Sequence, residues 1–507
     1  MKKYIIILTV ALASFGCDDF LSPEKKQGLS ADAFWQNSTH ARQAVIAAYS
    51  ALQAHDGSKW TFFEQMYIAA TWKSDGILNA PTHYGQTIAN FTNGSDEPTF
   101  SAFWKSNYTG IAYANQLIEN IPDVADMDDA EKAEIVAEAK FLRAIFHFNL
   151  LVAFENIPLI TSTQKSSDEF LVTQATPSAV WTQIEQDLSD AKAGMPASRS
   201  GEDVGRATSW TASAYLGKAF LFQEKFPEAV TELTDVVNNG PYDLLPNYAD
   251  NFNGLGENGV ESVFEIQWSA DRANNNDERH PFNFEVTPGA LGGWELFYPS
   301  DWLMTEMQAD LTAGSTFSDR VYSSVFFNDP SSEMLDVYSG VSTPYATVQA
   351  DLSHPKFFKK YTGEFDKTYY NGINVHMMRF ADVLLMQAEA MNEASATNTD
   401  AAIAIVNRVR SRSNAADIAL GSMTQAQLRQ QIRHHERPVE LAMEYTIRTF
   451  DLYRWANGTA APEPISTVMA AHSKPFADNF VDGKHDVFPI PLEEMNKNES
   501  LNQNDGY

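Results

Sequence analysis

The feature that most constrains this chain is a set of helix pairs whose apolar faces are too wide to be left in water. Trp210 to Asn239 reads as two helices broken at Lys225, Phe226 and Pro227, and a second pair runs from Met378 to Glu393 and from Asp400 to Arg412. Ala381, Leu384, Leu385, Ala388 and Met391 line one member of that pair, and Ala402, Ile405, Val406 and Val409 the other, at the three- and four-residue spacing of a helix stripe. Such a pair cannot bury its own faces, so pairs must stack on one another into a curved scaffold. The spacing is also helical from Ala31 to Phe154, where Ile135, Ala139, Leu142, Phe146, Leu150 and Ala153 fall on one stripe behind the N-terminal acids Asp128 and Asp129. His147 sits among Ile145, Phe146 and Phe148 and reads as a packing histidine. Thr424 and Gln427 form a capping box for a further helix.

Leu216, Gly217, Phe220, Ala229, Leu233, Val236 and Pro241 follow the tetratricopeptide pattern, in which small residues let two antiparallel helices approach closely. The expected fold is therefore mostly α, a tetratricopeptide-like helix-pair scaffold. From about residue 250 to 375 the stripe is lost. Short strand-like pieces such as Val263 to Trp268 alternate with Gly, Pro, Asn and Asp turns, which marks a loop-rich insertion with short strands. The stretch from Phe252 to Tyr370 holds 21 of the 61 aromatic residues, and a loop-rich segment with surplus Trp and Tyr is where a ligand face is expected.

The N-terminus is of another kind. Lys2 and Lys3 precede an apolar run from Tyr4 to Phe15, too short to span a bilayer and suited to a secretory signal. Gly16 and Cys17 follow at once, the arrangement of a bacterial lipoprotein signal whose cysteine receives the lipid; ordinary secretion is the alternative. The reading is a signal at residues 1–16, a lipid-anchored linker at 17–28 and one domain from 29 to 507. Cleavage removes Lys2 and Lys3 and moves the net charge from −30 to −32. That acid excess opposes general binding to nucleic acid or anionic membrane. One cysteine excludes a disulfide framework, an iron–sulfur cluster and a multi-thiolate zinc site.

Candidates for catalysis or cofactor binding fail on context. Gly254, Gly256 and Gly259 spell a dinucleotide-type glycine motif, but a strand-like run follows where a helix N-terminus is needed. His434, His435 and Glu436 lack a second histidine at metalloprotease spacing, and Asp126, Asp128 and Asp129 lack the glycine of a calcium loop, Glu131 standing in its place. No G-x-S-x-G elbow is present. Glu436, Glu440, Glu444 and Arg448, spaced by four, with Asp451 beyond, read as a structural ion ladder on one helix face at the scaffold's edge. No cofactor and no metal are expected.

Several segments together resemble a known family. Cys17-Asp18-Asp19-Phe20-Leu21, the run Arg379 to Ala390, Glu436-Arg437 with Glu440-Leu441, Arg448, Phe450-Asp451-Leu452 and Arg454-Trp455, and the C-terminal Pro489-Ile490-Pro491 through Gln503-Asn504 and Gly506-Tyr507 resemble the SusD/RagB outer-membrane lipoproteins of Bacteroidetes. The resemblance runs from residue 17 to the last. It implies a helix-pair scaffold under a loop-rich face, and no catalysis. It also implies a lipid anchor at Cys17 in the outer membrane, exposed at the cell surface, and capture of oligosaccharide or polysaccharide for a SusC-like TonB-dependent transporter. Uncharged glycans suit the acidic chain better than anionic ones.

The shared segments are scaffold segments, so the ligand face has to be read from aromatics in loops. In the first loop the candidates are Asp75, His83, Tyr84 and Phe91, and in the insertion Trp294, Tyr298 and Trp302. Flat aromatic rings bury the C–H faces of sugars while polar neighbours hold the hydroxyls. Two rival readings stay open: a helical-repeat scaffold without sugar affinity, and a surface glycoside hydrolase.

Overall fold

The computed structural model of the chain describes residues 34–53, 71, 73–80, 85–271, 276–278, 280–363, 371–445 and 447–507. The signal, Cys17, His83 and Tyr84 lie outside the described residues.

The scaffold opens with helices α1 (Ser38–Ser50), α2 (Pro98–Asn120), α3 (Asp129–Phe154) and α4 (Pro177–Gly194). Asp128 caps α3 by accepting from the Glu131 amide at 2.8 Å, and Asp129 and Glu131 place negative charge in its first turn. The predicted stripe is the centre of a wider buried surface, because α2 and α4 pack on different sides of α3 and also bury Phe141, Ile145, Phe148 and Val152. His147 is fully buried with Nδ1 3.0 Å from the Arg143 carbonyl oxygen, and burial pushes its pKa down to about 3, so it packs as a neutral ring.

Helices α5 (Ser209–Phe222) and α6 (Phe226–Asn239) form the predicted pair. A Cβ on Gly217 would lie 2.7 Å from the Leu233 side chain, so glycine is what lets the two axes approach. Across the insertion, α6 packs directly on α8 (Phe380–Ala394), which pairs with α9 (Thr399–Arg412); α10 (Gln425–Gln431) follows behind the Thr424–Gln427 capping box. A ribbon of consecutive helices thus closes over the point where the insertion leaves it. The chain is mostly helical, and its five described sheets are all two-stranded and antiparallel.

Two expectations are corrected. The α8 helix begins at Phe380, not at Met378, because Val375–Arg379 is a strand paired with Ser262–Ile266, Val375 opposite Ile266. The residues of the expected ion ladder do not share one helix either. Ile432–Glu436 is a π-helical turn, Arg437–Glu440 a short α-helix carrying Pro438 near its start, Met443 has φ +60°, and α11 spans Ile447–Asn457.

Nor do those acids sit at an edge. Glu436, Glu440 and Glu444 are buried and face arginines and a lysine brought from elsewhere: Arg320, Lys360, Arg379, Arg410 and Arg412. Glu261 and Asp310 complete a buried set in which these five cations meet five acids. Its members come from the insertion and from the scaffold alike, so this is the seam between the two. Removing one partner of such a pair costs about 3–5 kcal/mol, because the other is left as a buried uncompensated charge.

Candidate functional site

The insertion presents its aromatics on the segment from Phe284 to Trp302. Gly292 has φ +87°, and a Cβ there would collide with the Tyr338 ring at 2.4 Å, so the glycine seats Tyr338 against the turn. Beyond it the chain turns again at Glu295, which has φ +55°. The Trp294 amide donates to the Phe284 carbonyl at 2.7 Å, the Leu296 amide to Glu285 at 2.7 Å, and Phe297–Pro299 forms a strand. That strand pairs with Ile77–Asn79 of the first loop, Leu78 opposite Tyr298. The two regions singled out in the sequence, over 200 residues apart, therefore meet in one small sheet.

Within the strand Phe297 and Pro299 are buried and Tyr298 is half-buried on the other face, the period-two alternation of a strand with one covered side. Tyr298 stacks on His354 at 4.1 Å and 20°, and its hydroxyl donates to the Asn79 carbonyl at 3.4 Å. Trp294 is half-buried, its ring 5.8 Å from Phe284; Tyr338 packs edge-on to the same Phe284 at 6.3 Å and is 52% exposed. The buried Phe284 is thus the floor under two outward rings. The Glu295 carboxylate, which receives a hydrogen bond from the Ser353 hydroxyl, ties the Trp294 segment to the loop of His354. Trp294 and Tyr338 thus share Phe284, and Tyr298 and His354 stack on each other, on neighbouring loops.

The first loop holds its candidates differently. Asp75 is fully buried. Its carboxylate accepts from Arg448 at 2.8 and 2.5 Å and lies 2.6 Å from His472 Nδ1. Burial alone would raise this carboxyl, but the Arg448 guanidinium and the His472 hydrogen bond outweigh it and hold it well below the usual carboxylate range. Asp75 is therefore occupied by protein, which corrects its reading as a sugar ligand. Phe91 is corrected likewise: it is 3% exposed, has φ +58°, and packs edge-on to Phe480 at 5.0 Å. Its ring fills a core beside Trp455 and Met469.

Trp302 stands between the two groups. It is half-buried, lies parallel to His472 at 3.7 Å and 5°, and has the Arg448 guanidinium 5.0 Å from its ring centroid. One of its faces is thus already stacked by the protein, and Asp75, Arg448, His472 and Trp302 form a single packed cluster. The histidines flagged in the sequence also have separate partners: His434 lies 3.0 Å from Glu463, His435 2.9 Å from Glu306 and 3.3 Å from Asp310, while Glu436 meets Arg320 and Arg410.

Tyr338 and His354 were missed in the sequence. For Tyr338 a signal existed: Asp336 accepts from the Tyr338 and Ser339 amides at 3.0 and 2.7 Å, and Gly340 takes φ +66°. An aspartate and a glycine bracketing an aromatic mark a turn that displays it.

The fold and its seam are those of a helix-pair scaffold carrying a loop-rich face, and comparison with known proteins identifies it. Residues 342–507 match the SusD family, and residues 19–221 match a family described as "Starch-binding associating with outer membrane". A SusD-like protein of Formosa agariphila is 27% identical over the whole of both chains. A SusD superfamily protein from Bacteroides vulgatus superposes with a TM-score of 0.79 at 22% identity, covering 94% of this chain and 100% of its own. A laminarin-binding SusD-like protein superposes with a TM-score of 0.73 at 26% identity, covering 93% of this chain and 100% of its own. The chain belongs to the SusD/RagB family.

Proposed function

We propose that this protein captures an oligosaccharide or polysaccharide on the rings of Trp294, Tyr338, Tyr298 and His354 and delivers it to a SusC-like TonB-dependent transporter of the outer membrane, to which Cys17 tethers it through lipid. It acts by binding and not by catalysis. The observation that carries the reading is the exposed Tyr338 ring, seated by Gly292, which shares the buried Phe284 with the half-buried Trp294. The Tyr338 ring, 52% exposed, gains little for folding and has surface left to cover a sugar. Each stacked sugar face removes about 1–2 kcal/mol worth of apolar area from water. Several weak contacts along a chain give useful affinity with fast release. Family membership and the laminarin-binding relative support the sugar as ligand.

Isothermal calorimetry with laminarin, and with a panel of other uncharged polysaccharides, tests this. Trp294→Ala and Tyr338→Ala are each expected to lower affinity about tenfold, the loss of one stacked ring, while for the exposed Tyr338 the melting temperature stays within about 1 °C of the parent. Unchanged affinity in both variants removes the proposed face. New reducing ends after incubation with the polysaccharides would overturn the non-catalytic reading.

A further inference from the structure

The helical side of the molecule carries an open cavity of about 330 Å³ between the C-terminal ends of α3, α5 and α11 and the start of α4. Trp181, Phe222 and Tyr453, each half-buried, form walls, and Glu155, Asn457 and Thr459 line it as well. None of its lining residues belongs to the aromatic face of the insertion. Two of its polar groups stand out. Among the described residues, neither the Tyr453 hydroxyl nor the Glu155 carboxyl has a hydrogen-bond partner in the protein. Glu155 also sits in a γ-turn with φ +60° and ψ −60°, closed by the Asn156 amide donating to the Phe154 carbonyl at 2.6 Å. A non-glycine residue held in that region is strained, and such strain collects where a side chain has to be aimed.

We propose that this cavity is a second saccharide site, taking one or two uncharged sugar units independently of the aromatic face. Its volume is at the small end of ligand pockets, which start at about 300 Å³. The edges and faces of Trp181 and Phe222 suit the C–H surface of a sugar ring, and the Tyr453 hydroxyl and Glu155 carboxyl are the donor and acceptor that ring hydroxyls need. Charge selects among the possible occupants. Burial and the neighbouring Asp486 and Asp505 raise the Glu155 pKa, and the same acids repel a uronate or sulfated sugar. A lysine-like cation is disfavoured because the Arg454 guanidinium already lies 5.3 Å from the Phe222 centroid. A second hold on a polysaccharide gripped at the main face raises avidity without any new contact there.

Fluorine NMR on the full chain labelled with 5-fluorotryptophan reads both sites at once, with the Trp181 and Trp294 signals assigned through Trp181→Phe and Trp294→Phe. The probes are glucose, N-acetylglucosamine, cellobiose and laminaribiose. The Trp181 signal is expected to shift saturably with at least one of them, and Tyr453→Phe or Glu155→Gln, each near-isosteric, to weaken that response about fivefold without moving the melting temperature. The proposal is overturned if none of the probes moves the Trp181 signal, if both variants respond as the parent does, or if N-acetyl-lysine methylamide moves it where the sugars do not. Failure of the main face would show separately, in the Trp294 signal.

Discussion

Replacing Asp75 by asparagine separates two roles that the sequence cannot tell apart. If Asp75 held a sugar hydroxyl, the variant would fold as before and bind less. The structure requires the reverse. Asp75 is 0% exposed and accepts two hydrogen bonds from Arg448, whose side chain is only 13% exposed, beside a third contact with His472. Asparagine keeps the shape but leaves that guanidinium and His472 facing a neutral amide, and breaking a buried pair in this way costs about 3–5 kcal/mol. A chain of this size unfolds with roughly 1 kcal/mol/K of entropy, at about 2.1 cal/mol/K per residue, so the melting temperature should fall by about 3–5 °C in scanning calorimetry at neutral pH. The pH dependence has a definite sign. A carboxyl depressed in the fold contributes stability that is fully present above its unfolded pKa, near 4, and is lost only as pH falls through the lower folded value, so the gap between parent and variant should stay level from about pH 5 to 8 and close only in strong acid. The double variant Asp75→Asn/Arg448→Met should recover most of the loss, because it removes the stranded charge as well. Glycan affinity measured well below the transition should stay close to that of the parent. Unchanged melting together with lost affinity would refute the reasoning and return Asp75 to the binding face.

Two further outcomes follow from the scaffold and its seam. Gly217→Val forces a branched side chain into the 2.7 Å gap to Leu233 and should cost about 1–3 kcal/mol, read as a lower melting temperature; a rise would show that α5 and α6 do not need the close approach. For His435, burial would lower the pKa, but hydrogen bonds to Asp310 and Glu306 outweigh it and raise it to about 9. Its contribution, about 3 kcal/mol for a shift of this size, is therefore fully present below about pH 6.5 and lost as pH rises through 9, so the melting gap between the parent and His435→Gln should shrink over that interval and a gap independent of pH would exclude the charged pair.

The helix pairs were legible because a 3.6-residue period and a glycine facing a leucine are local signals, and α5, α6 and α9 lie within a residue or two of where the spacing put them. Local signals also misled. The run from Met378 reads as the start of a helix, yet Met378 and Arg379 end the strand Val375–Arg379, recruited by a partner about 110 residues earlier. The every-fourth acids from Glu436 read as one helix face although Pro438 stood among them as a visible breaker. At the candidate face, Trp294 and Tyr298 were singled out as aromatics in a loop-rich segment, a signal of composition that does not say which way a ring faces. Asp75 could not be placed that way. A lone aspartate in a loop looks solvated, and what buries it is an arginine 373 residues and a histidine 397 residues further along the chain.

The buried ion set gives a reason for spending charge inside this molecule. A face built on loops is only as well ordered as its backing, and the backing of the insertion is the seam where Arg320 meets Asp310, Glu436 and Glu440, and Arg379 meets Glu261, Glu440 and Glu444. An apolar seam tolerates small slips, since one methyl contact replaces another at little cost. A guanidinium among three carboxylates has one position in which all are compensated, and a slip of a few tenths of an ångström lengthens several charge-assisted hydrogen bonds together. Tyr248 and Phe252 tighten the fit by lying 5.5 and 5.3 Å from the Arg379 guanidinium, so the start of the insertion is held by the residue that immediately precedes α8. Net stability gains little from such an arrangement, and register gains much. That is the property needed by a protein whose proposed ligand-facing rings, Trp294, Tyr298 and Tyr338, are carried by short strands and turns with no long helix of their own.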